Sequence, residues 1–398
     1  MASLAVAASA SMFGSINPFK GANDVVNIGV IGTGNRGSGL IPYINEIKNL
    51  NVIACCDILP FRLAEGIQKT KGKARGYSDY RELLENKDID AVLVATTFST
   101  HSMIELDAMD VGKHIYGEKT LAKGYCEISD LLIKSKTSKG VFQTGHQLRS
   151  SRLYSHVVDL LKNGKIGKIE AFECQYNRNG DWRRPVPNPE LEKLINWRMY
   201  REFSGGLVAE LSSHQIDFVN WVLDSTPEQV MGTGGLDYWK DGREIYDNIH
   251  LIYSYPGGIK AKFTCLGTNA LDGYQIKVFG SKGTIILGFA DAWFYPEGNH
   301  EKELGNVDGV SGATIQWEQG KGIPIEVNDA DPSRQALTDF RDSIVNQKNP
   351  ISNIVTGAKT AISVQMALDA MYDNRIVKWQ SDFDVLLKQV ANEHSKNG

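Results

Sequence analysis

The chain has 398 residues, 42% of them hydrophobic and 23% charged, a balance that excludes global disorder and allows a large core without disulfide or metal staples. A net charge of −4 argues against a broad basic face for duplex nucleic acid, and no apolar run reaches the roughly 18 residues that mark a transmembrane helix. Five cysteines (Cys55, Cys56, Cys126, Cys174 and Cys265), odd in number and without a CxxC, argue against a disulfide framework and a cysteine-rich zinc site.

The N-terminus, residues 1–15, reads MASLAVAASASMFGS. It resembles the apolar and cleavage regions of a bacterial export signal without its charged start. The expectation is a periplasmic protein, the alternative a cytoplasmic one with a disordered tail. Residues 1–23 are set apart on that basis. Next, 25–31 (VVNIGVI) has the pattern of a buried parallel strand. It runs into Gly32-Thr33-Gly34-Asn35-Arg36-Gly37, a helix-compatible stretch over 38–48, and a second apolar run over 51–56 that ends at Asp57. Strand-like 91–95, 114–116 and 141–144 then alternate with helical 102–111 and 127–138, which predicts parallel βαβ units with right-handed crossovers. This first domain is placed at 24–147.

From 148 to 398 the pattern changes to α+β. A helix is predicted over 153–162, a strand over 168–176, a polar and aromatic loop over 177–197 and a helix over 207–223. Strands follow over 250–255, 260–266 and 274–287, separated by turns such as Pro256-Gly257-Gly258, which predicts an antiparallel sheet. Residues 289–326 read as irregular, and helices over 333–347 and 353–371 end the domain.

A GxGxxG means little alone, but here a strand precedes it, a helix follows, and Asp57 lies 20 residues after Gly37. Gly32 suits the tight turn, Gly34 lets a pyrophosphate approach the backbone, and Gly37 lets helix and strand pack closely. The helix start offers free N–H groups to phosphate. Asp57 would accept from the ribose hydroxyls and repel a 2′-phosphate, so NAD is expected rather than NADP. Arg62 reads as a solvated helix arginine.

Two further segments carry a resemblance. Residues 107–123 (DAMDVGKHIYGEKTLAK) look like the GKHV..EKP.A segment of the glucose–fructose oxidoreductase and inositol 2-dehydrogenase family, called Gfo/Idh/MocA, and 205–217 (GGLVAELSSHQID) look like its second motif. Thr96, Thr97 and His101 sit where the family often has a TPxxxH-type segment beside the cofactor. The resemblance implies a Rossmann domain holding NAD, a second domain with a large, mostly antiparallel sheet, and a substrate between them. It further implies hydride chemistry on a sugar, glycoside or cyclitol carbinol, and a homodimer or homotetramer formed through that sheet. Two positions depart from it: Thr120 replaces the proline of EKP, and Glu210 replaces the second motif's aspartate.

On this reading Glu118 and Lys119 follow a short strand near the carboxyl end of the parallel sheet, where open α/β folds bind ligands. Lys119 stabilises the developing alkoxide. Glu210, His214 and Asp217 have helical spacings of four and three, which places them on one face. His214 is assigned as the acid/base, Glu210 as its orienter or a substrate contact, and Asp217 as a substrate contact. Arg149, Arg178, Trp182 and Arg183 are candidates for the substrate lining. The hydride mechanism needs no metal. An alternative from another class is an NAD-retaining glycoside hydrolase that works by transient oxidation, elimination and re-reduction.

Overall fold

The apolar runs at the start of the chain become the strands of a parallel sheet. The computed structural model describes residues 24–297, 322–328 and 330–396; the expected export segment lies outside them. The first half runs β1 (Val26–Ile31), α1 (Asn35–Glu46), β2 (Leu50–Cys56), α2 (Pro60–Lys69), β3 (Arg75–Tyr77), α3 (Tyr80–Glu85), β4 (Ala91–Val94), α4 (His101–Asp110), β5 (His114–Gly117), α5 (Tyr125–Ser135) and β6 (Phe142–Thr144). The six strands pair in parallel in the order β3-β2-β1-β4-β5-β6, the doubly wound dinucleotide-binding arrangement. β4 is buried at every position. That is why its sequence is an unbroken apolar run: helices cover both faces of the sheet.

The second half runs α6 (Arg152–Lys162), β7 (Ile169–Tyr176), α7 (Glu192–Ile195), a π-turn (Val208–Ser212), α8 (Ser213–Leu223), β8 (Gln229–Gly235), β9 (Asn248–Ser254), β10 (Lys260–Leu266), β11 (Tyr274–Gly280), β12 (Gly283–Leu287), β13 (Ala292–Pro296) and β14 (Ile323–Pro324). It ends with α9 (Pro332–Val345), α10 (Ile354–Tyr372), β15 (Val377–Lys378) and α11 (Ser381–Lys396). Nine strands form one sheet, ordered β14-β13-β12-β11-β7-β10-β9-β8-β15, antiparallel except for the β7–β10 pair. β9 and β10 alternate buried and exposed residues, so one face is packed and the other is open. Helices α8 and α10 lie on the packed face: Tyr255 donates to Asn220 Oδ1 (2.8 Å) and Tyr253 to the Ser363 carbonyl (2.8 Å). Among the described residues no helix is long and apolar enough to cross a membrane.

Two expectations are corrected here. Residues 274–287 are not one strand but a hairpin, with Gly280 paired to Gly283. Within 289–326, expected to be irregular, 292–296 and 323–324 are strands of the sheet, while 298–321 lie outside the described residues. Helix α9 returns to the first domain. Its Ala336, Leu337, Phe340 and Ile344 share a core with Val26, Ile28 and Leu40, and Gln143 donates to the Ala336 carbonyl (2.7 Å).

Candidate active site

The site begins at the glycine turn between β1 and α1. Gly32 has φ +88°, and a Cβ there would lie 2.7 Å from the Ala95 carbonyl carbon, just past the end of β4. A Cβ on Gly37 would lie 1.9 Å from the Gly32 oxygen, so the first turn of α1 closes on the loop only with glycine there. No side chain caps α1 at Gly34, and its leading N–H groups stay available to an anion. Asp57, at the end of β2, accepts from the Thr33 N–H and, with its other oxygen, from the Leu59 N–H (both 2.9 Å). A carboxylate has about four acceptor positions, so capacity remains for ribose hydroxyls. These residues fit a dinucleotide.

The turn opens into a cavity of about 830 Å³ between the two domains. Asp57, Arg62 and Tyr80 line it together with Lys119, Glu210 and His214. Thr96 and His101 line it as well. The His101 ring is held between the carbonyls of Thr120 (3.0 Å) and Thr96 (3.4 Å). Glu118 accepts from Arg36 Nε (2.7 Å), tying the end of β5 to the first turn of α1.

Lys119 follows β5. Its Nζ donates to the main-chain oxygens of Ala209 (3.1 Å) and Glu210 (2.8 Å), both within the π-turn. The Lys119–Thr120 peptide is cis, and Thr120 Oγ1 also donates to Ala209 O (3.2 Å). A π-turn takes its carbonyls out of the α-helical ladder, and here Lys119, Thr120 and Ser213 share the Ala209 oxygen. The backbone thus holds the amino group at the cavity that His214 also lines, with no carboxylate among the described residues bonded to it. Burial lowers the Lys119 pKa, with Glu210 and Glu118 pulling the other way.

His214 is 9% exposed and lines the cavity. Its Nδ1 is buried with no hydrogen-bond partner among the described residues, and its ring meets His146 edge-on at 6.0 Å between centroids. Burial, then the neighbouring Lys119, His146 and Arg36, hold its pKa well below the ordinary value. The imidazole is neutral at neutral pH and ready to take a proton. A neutral base and a lysine donor therefore face one cavity with the glycine turn.

Comparison with known proteins agrees with this architecture. Residues 26–146 match an oxidoreductase family with an NAD-binding Rossmann fold, and residues 154–286 match the GFO/IDH/MocA C-terminal domain. The chain belongs to the GFO/IDH/MocA oxidoreductase family. It is 28% identical over 272 residues to the myo-inositol 2-dehydrogenase of Thermotoga maritima, covering 67% of this chain and 75% of that protein. It is 28% identical over 265 residues to the 2,7-anhydro-N-acetylneuraminate hydratase of Escherichia coli, covering 66% and 68%. Among solved structures, levoglucosan dehydrogenase in complex with NADH and levoglucosan superposes with a TM-score of 0.72 at 17% identity, over 89% of this chain and 99% of that one.

Within this GFO/IDH/MocA chain the structure redistributes several expected roles. Asp217 and Arg149 do not reach the cavity. They form a buried bidentate ion pair (2.7 and 3.0 Å), and Thr360 also donates to Asp217 (2.9 Å). Glu210 does line the cavity, but it accepts from Arg198 Nε (2.9 Å) rather than from His214, because a guanidinium offers it a charge-assisted bond. Arg183 is engaged by Glu192 and Asp241 outside the cavity. Trp182 packs against the core instead of lining the site. Thr33 is buried under α2, its hydroxyl donating to the Arg62 carbonyl (2.9 Å), so it supports Asp57 from behind. Arg178, Arg36, Asn35 and Glu118 do line the cavity.

Other lining residues were not assigned from the sequence. Arg62, expected to be solvated, leans over the glycine turn: its Nη1 is 3.6 Å from where a Gly34 Cβ would stand. Arg184, Trp197, Arg198 and Gln147 also line the cavity. A basic and aromatic loop just before the second glycine motif was the available signal for Arg184, Trp197 and Arg198.

Proposed function

We propose that this protein is an NAD-dependent oxidoreductase acting on a carbinol of a sugar, glycoside or cyclitol. The observation that carries the reading is the shared cavity: neutral His214 and Lys119 line the same cleft as the glycine turn and Asp57. Bound NAD supplies the hydride acceptor or donor. His214 takes the hydroxyl proton in the oxidation direction and returns it in reduction. Lys119, fixed by two main-chain oxygens, donates to the carbinol oxygen as negative charge develops. Glu210 holds Arg198 at the cavity wall, and Arg178 offers a polar contact to the substrate's hydroxyls. The proposal extends to a homodimer or homotetramer through the open sheet face, where Met231 and Ile252 are exposed.

A second reading is an NAD-retaining glycoside hydrolase that oxidises, eliminates, adds water and reduces again. Similarity to the E. coli hydratase supports it. Lys119→Ala and His214→Ala test the assignment common to both readings. Each should lower turnover roughly 10²- to 10⁴-fold while NADH still binds and quenches tryptophan fluorescence. Wild-type turnover in either variant removes that residue from the mechanism. Aglycone release without net formation of reduced nicotinamide selects the hydrolase.

A further inference from the structure

The loop over 177–197 belongs to the second domain, yet part of it lies against the glycine turn of the first. A second, smaller cavity is lined by Gly34, Asn35 and Arg62 on one side and by Arg184, Pro185 and Pro187 on the other. Arg184 also lines the main cavity. Its position is built into the fold. The Asn196 side chain, 2% exposed, accepts from the Arg184 N–H (2.7 Å) and donates to the Arg184 carbonyl (2.9 Å). Asn196 is itself held by Glu192 (2.9 Å). The following Pro185 and Pro187 restrict the backbone further.

This anchored backbone carries a guanidinium that makes no hydrogen bond or ion pair among the described residues, and the same is true of Arg62. Burial has the largest effect on the Arg62 charge and opposes it; Asp57 and Glu65 favour the charge, while Arg198 and Arg184 are close enough to oppose it. Neither guanidinium is bonded to a protein carboxylate among the described residues, so both forks are free to donate to an anion placed between them. The space between them lies over the uncapped start of α1.

We infer that Arg184 and Arg62 form a clamp on the pyrophosphate of NAD, one arm from each domain, so that the 177–197 loop must withdraw before the cofactor leaves. The inference rests on the reading that the glycine turn holds NAD. Two guanidinium forks match the two charged phosphates, and the fixed Arg184 backbone lowers the entropic cost of closing on them. A cofactor held across both domains leaves slowly. That suits a reaction sequence in which each reduced nicotinamide is reoxidised in place by a second substrate or a later step.

The test uses the full chain and reads cofactor release rather than turnover. NADH fluorescence is followed by stopped flow after trapping with excess NAD, and the affinities of ADP-ribose and adenosine are measured at equilibrium. Arg184→Ala and Arg62→Ala should each speed NADH release and weaken ADP-ribose roughly 10- to 100-fold, leaving adenosine unchanged. Arg184→Lys should fall between, since it keeps the charge and loses the fork. Unchanged NADH release and ADP-ribose affinity in both alanine variants overturns the clamp and leaves the cofactor assignment standing. A loss confined to NADP overturns it too, because it places the arginines at the ribose phosphate. A wild-type protein that binds neither NADH nor ADP-ribose overturns the cofactor reading, and the clamp with it.

Discussion

Asp217→Asn separates a structural carboxylate from a substrate-binding one. Asp217 lies on α8 three residues after His214, and spacing alone puts it beside the substrate. In the fold it accepts both a 2.7 and a 3.0 Å bond from Arg149 and a third from Thr360 at 2.9 Å, with side chains only 6% and 4% exposed for Arg149 and Asp217. The substitution keeps the shape and removes the charge, leaving the Arg149 guanidinium buried and unpaired over Trp221, 5.1 Å from the ring centre. Breaking a buried pair this way costs about 3–5 kcal/mol, a large share of the typical 5–15 kcal/mol of a folded protein. The urea midpoint should fall accordingly, while the KM of the surviving native protein for its substrate stays near wild type. Replacing both residues, Arg149→Met with Asp217→Leu, should recover most of the loss. The pH dependence has a definite sign. Burial would raise the Asp217 pKa, but Arg149, His146 and Thr360 more than offset it, so the folded value lies below the ordinary one. Its contribution is present above the ordinary aspartate pKa and is lost as the pH falls through the lower folded value; Asp217→Asn should flatten that part of the profile. An unchanged urea midpoint together with a large rise in KM would refute this reasoning and return Asp217 to the substrate.

Three further outcomes follow from the structure. Gly37→Ala forces the glycine turn away from a contact of 1.9 Å and should weaken NADH by about 10- to 100-fold, the equivalent of an overpacking cost of about 1–3 kcal/mol. Gly39→Ala, where a Cβ meets nothing within 4 Å, should leave titrations unchanged. In the oxidation direction the acid limb of kcat/KM should lie below the ordinary histidine pKa, because His214 must be neutral and its pKa is lowered. The basic limb should lie below the ordinary lysine value, because Lys119 must be charged; a pH–rate profile with limbs at the unperturbed values contradicts both. His114 and His146 are pushed down by burial to about 4, so the unfolded chain takes up protons first as the pH falls below about 6.5. Each should cost roughly 3 kcal/mol of stability by about pH 4, and urea midpoints measured across that range should fall steeply.

The first domain was legible because its physics is local. A strand buried on both faces must be an apolar run, and a phosphate turn must carry glycine where a Cβ would strike backbone. Asp57 and Lys119 came with those elements. β8 was harder: QVMGTGG does not look like a strand. Its glycines are there because a Cβ on Gly232 or Gly234 would lie 2.4 to 2.6 Å from atoms on β9 or on the segment before it, and that depends on tertiary packing. The same limit explains the site residues that moved. Spacing on α8 put His214 and Asp217 on neighbouring positions, but the partner that claims Asp217 is Arg149, distant in sequence. Arg198 claims Glu210 in the same way. Arg62 looked like one more solvated helix arginine because nothing local shows that the second domain's loop approaches it.

The central claim is that a sugar or cyclitol carbinol meets NAD beside His214 and Lys119. The most direct measurement is a single turnover of protein preloaded with NAD, mixed with a panel of sugars, glycosides, cyclitols and 2-hydroxy acids, with reduced nicotinamide followed by its own fluorescence. The account predicts that a member of the sugar or cyclitol group produces reduced nicotinamide in the first turnover with the wild-type chain, and that His214→Ala with NAD bound does not. Reduction by 2-hydroxy acids and by no sugar or cyclitol contradicts it, as does an equal burst from His214→Ala.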